Sequence, residues 1–377
     1  YNSLQRCVQK EGAQYDRDEV ISLMINTSFE ELLKQSYDNS LWTVIIDPKV
    51  TLDFFNKSDD LILIHYSDQY SSSANYDAIT VTAQKELYEN VVGGNNIIRE
   101  FNAFNGAWLI QMIAEKDERQ RREKRGIIAA YKYMTALVDI KGITWVPLSV
   151  ADMISVSGNV GLSKSDGDFT RYKENQISEE KHIGKISDDI LLVGFTSTDV
   201  ILYPVEVKSG SANISNAITQ AKALKSFLKD HLLYGNSLKV TLLKGLFIRQ
   251  IFMQVEKYEL YKVFDDDYFN LLHKKREELL EGTYTFSELK NYYEGSVVAY
   301  LDTATWSSIK EVDNILVCSL PSSNQEDMLN YPYLDLREKV RGGEYVADKS
   351  ILLSDLQFIN EKINLPDHKM KSREESK

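Results

Sequence analysis

Two apolar runs lie close together between residues 188 and 210: Asp188-Asp189-Ile190-Leu191-Leu192-Val193-Gly194 and Ile201-Leu202-Tyr203-Pro204-Val205-Glu206-Val207-Lys208-Ser209-Gly210. Short runs rich in branched residues read as β-strands, and the few residues between them make the two neighbours in a hairpin. Side chains alternate along a strand, so Glu206 and Lys208 share one face while Val205 and Val207 take the other. If Asp189 opens the first strand, its carboxylate and that of Glu206 can share one divalent cation, Mg²⁺ or in its place Mn²⁺. Lys208 then stands beside the ion, placed to orient a water or to offset charge on a phosphate. Asp188 is the alternative to Asp189, because a slip of one residue exchanges the two across the strand. A solvated strand with a surface Glu–Lys pair is the other reading that so short a pattern allows.

The rest of the chain bounds what such a site can serve. Its 377 residues correspond to about two to three domains. With 43% hydrophobic and 27% charged residues it can bury a sizeable core. No apolar run reaches the length of a membrane span and no signal-peptide pattern is present, so a cytoplasmic location with no membrane partner is expected. Cys7 and Cys318 are far apart and form no CxxC, which argues against a disulfide framework or a structural zinc site. The histidines (His65, His182, His231, His273, His368) are scattered and suggest neither a His-rich metal site nor a nucleophile–base pair. A net charge of −12 argues against a protein that coats nucleic acid non-specifically, but not against one with a local basic strip. The chain begins at Tyr1 rather than Met, as a piece of a longer polypeptide would.

Hydrophobic spacing divides the chain into regions. Residues 1–95 read as a small α/β region, with a helix at 19–34 and strands at 41–46, 60–66 and 78–82. The breaker cluster Gly93-Gly94-Asn95-Asn96 closes it. Residues 97–141 are helical almost throughout; a charged run at 115–125 precedes an apolar face of Ile127, Ala130, Tyr131, Met134, Leu137 and Val138. A strand at 143–148 follows. Residues 149–187 form a long Gly- and Ser-rich loop that runs into Asp188, and we read it as contacting substrate. After Gly210 a helix sets Ile214, Ile218, Ala221, Leu224 and Leu228 on one face. Lys222, Lys225 and Lys229 lie on another, as a basic strip for nucleic-acid phosphates. The apolar stretch 239–261 predicts a buried helix, with a short strand at Val240 as the alternative. A helix at 271–280 and strands at 296–301 and 314–320 make a small α+β region, and the tail from 367 is polar and disordered by composition. The expected domains are 1–95, 97–265, 266–366 and a tail at 367–377.

An acid on one strand followed by Glu-x-Lys on the next resembles the PD-(D/E)xK nuclease superfamily. The resemblance implies an α/β fold with a restriction-endonuclease-like core in residues 97–265, flanked by the smaller α/β and α+β regions. It implies catalytic roles for Asp189, Glu206 and Lys208, with Asp189 and Glu206 as metal ligands. It also points to an acid on the first core helix, where Glu123 is the first candidate and Glu100 the second, and to a glutamine in the helix after the Glu-x-Lys strand, here Gln220. Three stretches resemble the nuclease-bearing part of the DptH family of phosphorothioation-dependent restriction proteins over residues 40–265. They are Ile64-His65-Tyr66-Ser67-Asp68-Gln69-Tyr70, Val160-Gly161-Leu162-Ser163-Lys164-Ser165-Asp166-Gly167, and Ser187-Asp188-Asp189-Ile190-Leu191 with Tyr203-Pro204-Val205-Glu206-Val207-Lys208. That likeness implies Mg²⁺-dependent hydrolysis of DNA phosphodiesters in defence against phage and plasmids, with Ser163 and Lys164 touching the nucleic acid. Its implied partners are DNA, other proteins of the same restriction system and a HerA-like ATPase region. No phosphate-binding loop occurs in this sequence, so the ATPase would lie outside the chain. The competing function classes are a catalytically silent DNA-binding or sensing module and a scaffold of such a complex.

Overall fold

The structure is a computed structural model. It describes residues 77–151 except 94, 189–229 except 211 and 212, and 237–354. It also describes the strands at 43–47, 62–67 and 360–362 and the single residues 31, 35, 36 and 40. The expected helix at 19–34, the loop bearing Ser163 and Lys164, Asp188 and the tail from 367 lie outside the described residues, Glu31 alone excepted.

Three strands expected near the start form an antiparallel sheet of order β1-β3-β2: β1 (Thr43–Asp47), β2 (Ile62–Ser67) and β3 (Asp77–Thr82). Helix α1 (Lys85–Val92) ends on Gly93, whose φ of +103° is a left-handed conformation that favours glycine. Helix α2 (Asn95–Ala114) packs against β2. Helix α3 (Glu118–Leu137) is capped by the Asp117 carboxylate, which accepts from Arg119 N at 2.9 Å. Its charged first half is partly to fully exposed, and everything from Gly126 to Leu137 is buried.

The second sheet has eight strands and a fork. Strands β4 (Thr144–Ser149), β5 (Ile190–Phe195) and β6 (Asp199–Ser209) form an antiparallel meander. After β6 the chain crosses over through α4 (Ile214–Leu228), α5 (Leu238–Leu260), α6 (Asn270–Lys274) and α7 (Arg276–Leu280). It returns as two strands that share the other edge of β6. β7 (Thr285–Leu289) lies parallel to Asp199–Ile201, and β8 (Gly295–Leu301) lies parallel to Val205–Ser209. On the β8 side the sheet continues through β10 (Ile315–Pro321) to β9 (Ser308–Val312), and on the β7 side to β11 (Asn360–Lys362). Pro204 falls in the gap between the two parallel partners, where its missing N–H costs no ladder bond on that edge. Where β8 starts, a side chain on Gly295 would sit 2.8 Å from the Pro204 carbonyl, so the backbone there needs glycine.

One core joins these elements. Helix α3 is held between the sheet and the helices α8 (Ser322–Asn330) and α9 (Tyr333–Gly342). A single apolar cluster runs from Tyr88 to Leu353, and a smaller one seats Ala217 and Ile218 of α4 on Val297, Ile315 and Val317. The boundary expected at 265/266 therefore falls inside one continuous sheet: β7 and β8, assigned from sequence to a separate region, hydrogen-bond directly to β6. The architecture is α/β with mixed strand directions. Among the described residues no helix is long and apolar enough to cross a membrane.

Candidate active site

Strand register places the first two carboxylates. Ile190 pairs with Val205, so Asp189, one step before β5, stands opposite Glu206. Residues opposite each other on antiparallel strands put their side chains on the same face. The Asp189 carboxylate also accepts from Val207 N at 2.8 Å, satisfying an amide that the end of β5 leaves without a strand partner. That bond fixes Asp189 beside the Glu-x-Lys sequence. Asp189 and Glu206 are both buried, at 7% and 1% exposure, yet they carry acids at the end of the sheet.

Lys208, two residues on and on the same face, ion-pairs with Glu206 at 2.5 Å and keeps about a quarter of its side chain in solvent. Partial burial pulls its ammonium down, but the carboxylates of Glu206, Asp189 and Glu123 outweigh that effect, and its pKa lies above the ordinary lysine value. Lys208 is thus a fixed cation at neutral pH and not a general base. The same electrostatics place Glu123 of α3 in the neighbourhood of the strand carboxylates. Three acids thus act on the Lys208 ammonium.

Close packing brings α3 to this end of β6. A Cβ on Gly126 would sit 2.9 Å from Ser209 Oγ, so glycine is what lets the helix approach the strand. Gln325, the fourth residue of α8 and 1% exposed, bridges the two: it donates to the Arg122 carbonyl at 3.0 Å and accepts from Ser209 Oγ at 3.5 Å. Its two partners are the chain neighbours of Glu123 and Lys208. Sequence reading missed Gln325, since α8 is far away in the chain. Gly126 was not singled out either; a glycine in the middle of a long helix is the one local signal that could have pointed to it.

The other expected site residues divide differently. Gln220 is half-buried on α4. Glu100 is a core residue: it pairs with the fully buried Lys132 at 3.4 Å and accepts from the Tyr131 hydroxyl. The basic strip is already neutralised from within. Lys225 is buried against Glu288 at 3.3 Å and Glu294 at 3.9 Å, Lys229 pairs with Glu288 at 3.0 Å, and Lys222 pairs with Asp313 at 3.3 Å. The helical spacing that aligned these lysines was read correctly, but the surface they meet is acidic protein. Ser163, Lys164 and Asp188 lie outside the described residues.

Two carboxylates on one face fit a hard cation, which takes one or two carboxylates and completes its shell with waters and substrate phosphate oxygens. Among the described residues no third His, Cys, Asp or Glu joins them in a ligand group. Comparison with family models, with curated proteins and with solved structures finds no match for this chain.

Proposed function

We propose that this protein is a Mg²⁺-dependent endonuclease with a restriction-endonuclease-like core that hydrolyses DNA phosphodiesters. The observation that carries the reading is the register of β5 on β6, which sets Asp189 against Glu206 with Lys208 on the same face. The reading is supported further by Glu123 of α3, whose charge acts on Lys208 together with those of Asp189 and Glu206. The protein's place in phosphorothioation-dependent restriction, with partner proteins and an ATPase outside the chain, rests on the sequence resemblance alone.

In this mechanism Asp189 and Glu206 hold the ion. Once bound, Mg²⁺ supplies Lewis-acid polarisation of a phosphate oxygen and a water of lowered pKa. Burial of the two carboxylates keeps them from reorganising during reaction. The Lys208 ammonium, held by Glu206, faces the charge that builds on the phosphoryl oxygens. It contributes to the transition state more than to binding. Glu123 adds negative potential from the helix side.

A plasmid-nicking assay with and without Mg²⁺ tests the reading. Glu206→Gln and Asp189→Asn are expected to abolish Mg²⁺-dependent nicking while retaining the fold by circular dichroism. A variant that nicks at the full rate removes its residue from the site, and an unsubstituted chain that never nicks but shifts DNA in EDTA is a silent binding module.

A further inference from the structure

Strands β6, β8 and β10 run parallel, so their C-terminal ends share the edge that carries Glu206 and Lys208. Residues 302–307 leave the end of β8 on that edge, pass the end of β10 and enter β9, whose Ser308 pairs with Ser319. Trp306 in this segment is 76% exposed, whereas Trp108 and Trp145 are buried in the core. The segment reads Asp302-Thr303-Ala304-Thr305-Trp306-Ser307, an indole among hydroxyls with a single acid. That acid is taken: Asp302 accepts from Arg122 and, at 2.7 Å, from Ser322 Oγ, and Arg122 itself donates to Ser322 at 2.7 Å. A turn closes from Ala304 N to the Leu301 carbonyl at 3.3 Å. The loop is therefore anchored to α3 one residue from Glu123, with its indole turned to solvent.

We propose that Trp306 is a stacking platform for unpaired bases of a nucleic acid whose backbone lies at Asp189, Glu206 and Lys208. The identity of the partner rests on the nuclease reading above. A solvent-facing indole stacks on any exposed base face, and a duplex hides those faces while single strands offer them. Stacking also suits this chain's charge. With Lys222, Lys225 and Lys229 neutralised and a net charge of −12, a contact that does not depend on phosphate attraction supplies affinity that the lysines do not. From β6 to β9 is three strand spacings, roughly 14 Å, a reach of about four nucleotides at ~3.4 Å each.

The test uses the full chain carrying Asp189→Asn, in EDTA, with labelled oligothymidylate and a blunt duplex of equal length. Anisotropy gives the affinity of each with Trp306, Trp306→Ala and Trp306→Phe, and circular dichroism checks the fold. Trp306→Ala is expected to weaken oligothymidylate binding about tenfold, Trp306→Phe to keep most of it, and duplex affinity to change less than about twofold. Indole fluorescence should be quenched on binding only where Trp306 is present. If oligothymidylate binds and Trp306→Ala binds it equally well, the stacking platform is refuted while the nuclease reading stands. Equal losses on single strand and duplex refute the preference for unpaired bases. If neither DNA binds the chain carrying Trp306, the platform is refuted, while the nuclease reading is decided by Mg²⁺-dependent nicking of the unsubstituted chain.

Discussion

Two Glu–Lys pairs in this molecule look alike as chemistry and differ in what surrounds them. Lys132 and Glu100 join α3 to α2 in the core, with no exposed surface on the lysine side chain and 6% on that of the acid. Burial lowers the Lys132 pKa against the opposing pull of Glu100, and its remaining protons go to the carbonyls of Leu329 and Tyr331. Lys208 and Glu206 stand at the end of a strand, the acid buried and the lysine part open. There the carboxylates win over burial and raise the lysine. The first pair is closed: each charged group finds its partners inside the fold. The second gathers three acids around one cation at a surface.

Substitution can break or sharpen that contrast. Lys132→Ala should cost about 3–5 kcal/mol of stability, because it strands the buried Glu100 carboxylate. A shift in urea midpoint with an unchanged slope is the measurement, and a loss below ~1 kcal/mol would mean that the core tolerates the orphaned charge. Lys208→Ala should show chiefly in the rate. Single-turnover cleavage falls about a hundredfold while DNA affinity changes little, and stability also falls because the buried Glu206 carboxylate loses that partner. Lys208→Arg should not restore the full rate, since a planar fork replaces a compact charge. Equal cleavage by Lys208→Ala and the unsubstituted chain would return Lys208 to the solvated surface.

The smallest effect belongs to a third setting, the α4 lysines. At Glu288 burial acts to raise the pKa, but Lys225 and Lys229 outweigh it and hold the group below its ordinary value of 4.5. The unfolded chain then takes up that proton first as pH falls. The stabilisation is present above about 4.5 and is lost as pH drops through the lower folded value. Glu288→Gln should therefore flatten the acid limb of a stability–pH curve while leaving cleavage intact. An acid limb as steep as before would show that the lysines do not act through Glu288.

What the sequence disclosed follows from how local each signal is. The β5–β6 hairpin, the helix at α4 and the Glu206–Lys208 face depend on neighbours a few residues apart, and each was readable. The start of α5 was left open between helix and strand, and the structure makes it helical from Leu238. The strands at 295–301 and 315–321 were recognisable as strands. Their place beside β6 was not, because no local pattern records a parallel partner about ninety residues away. The lysine strip shows the same limit: periodicity aligned Lys222, Lys225 and Lys229, but Glu288, Glu294 and Asp313 decided what they touch. Gln325 carried no signal at all, since a buried glutamine on a short helix has meaning only beside Ser209 and Arg122.

The fork at β6 also has a consequence for the protein's synthesis. Glu206 and Lys208 emerge from the ribosome long before Ser296 to Tyr300, the segment that pairs with the strand bearing them. Until then that half of β6 has an open edge, and until α8 arrives nothing ties Ser209 to the backbone beside Glu123. A chain interrupted near residue 265 would hold every catalytic group proposed here but lack β8 and α8, which pair with their strand and tie it to α3. On the nuclease reading proposed above, this order of construction would delay activity until the molecule is nearly finished.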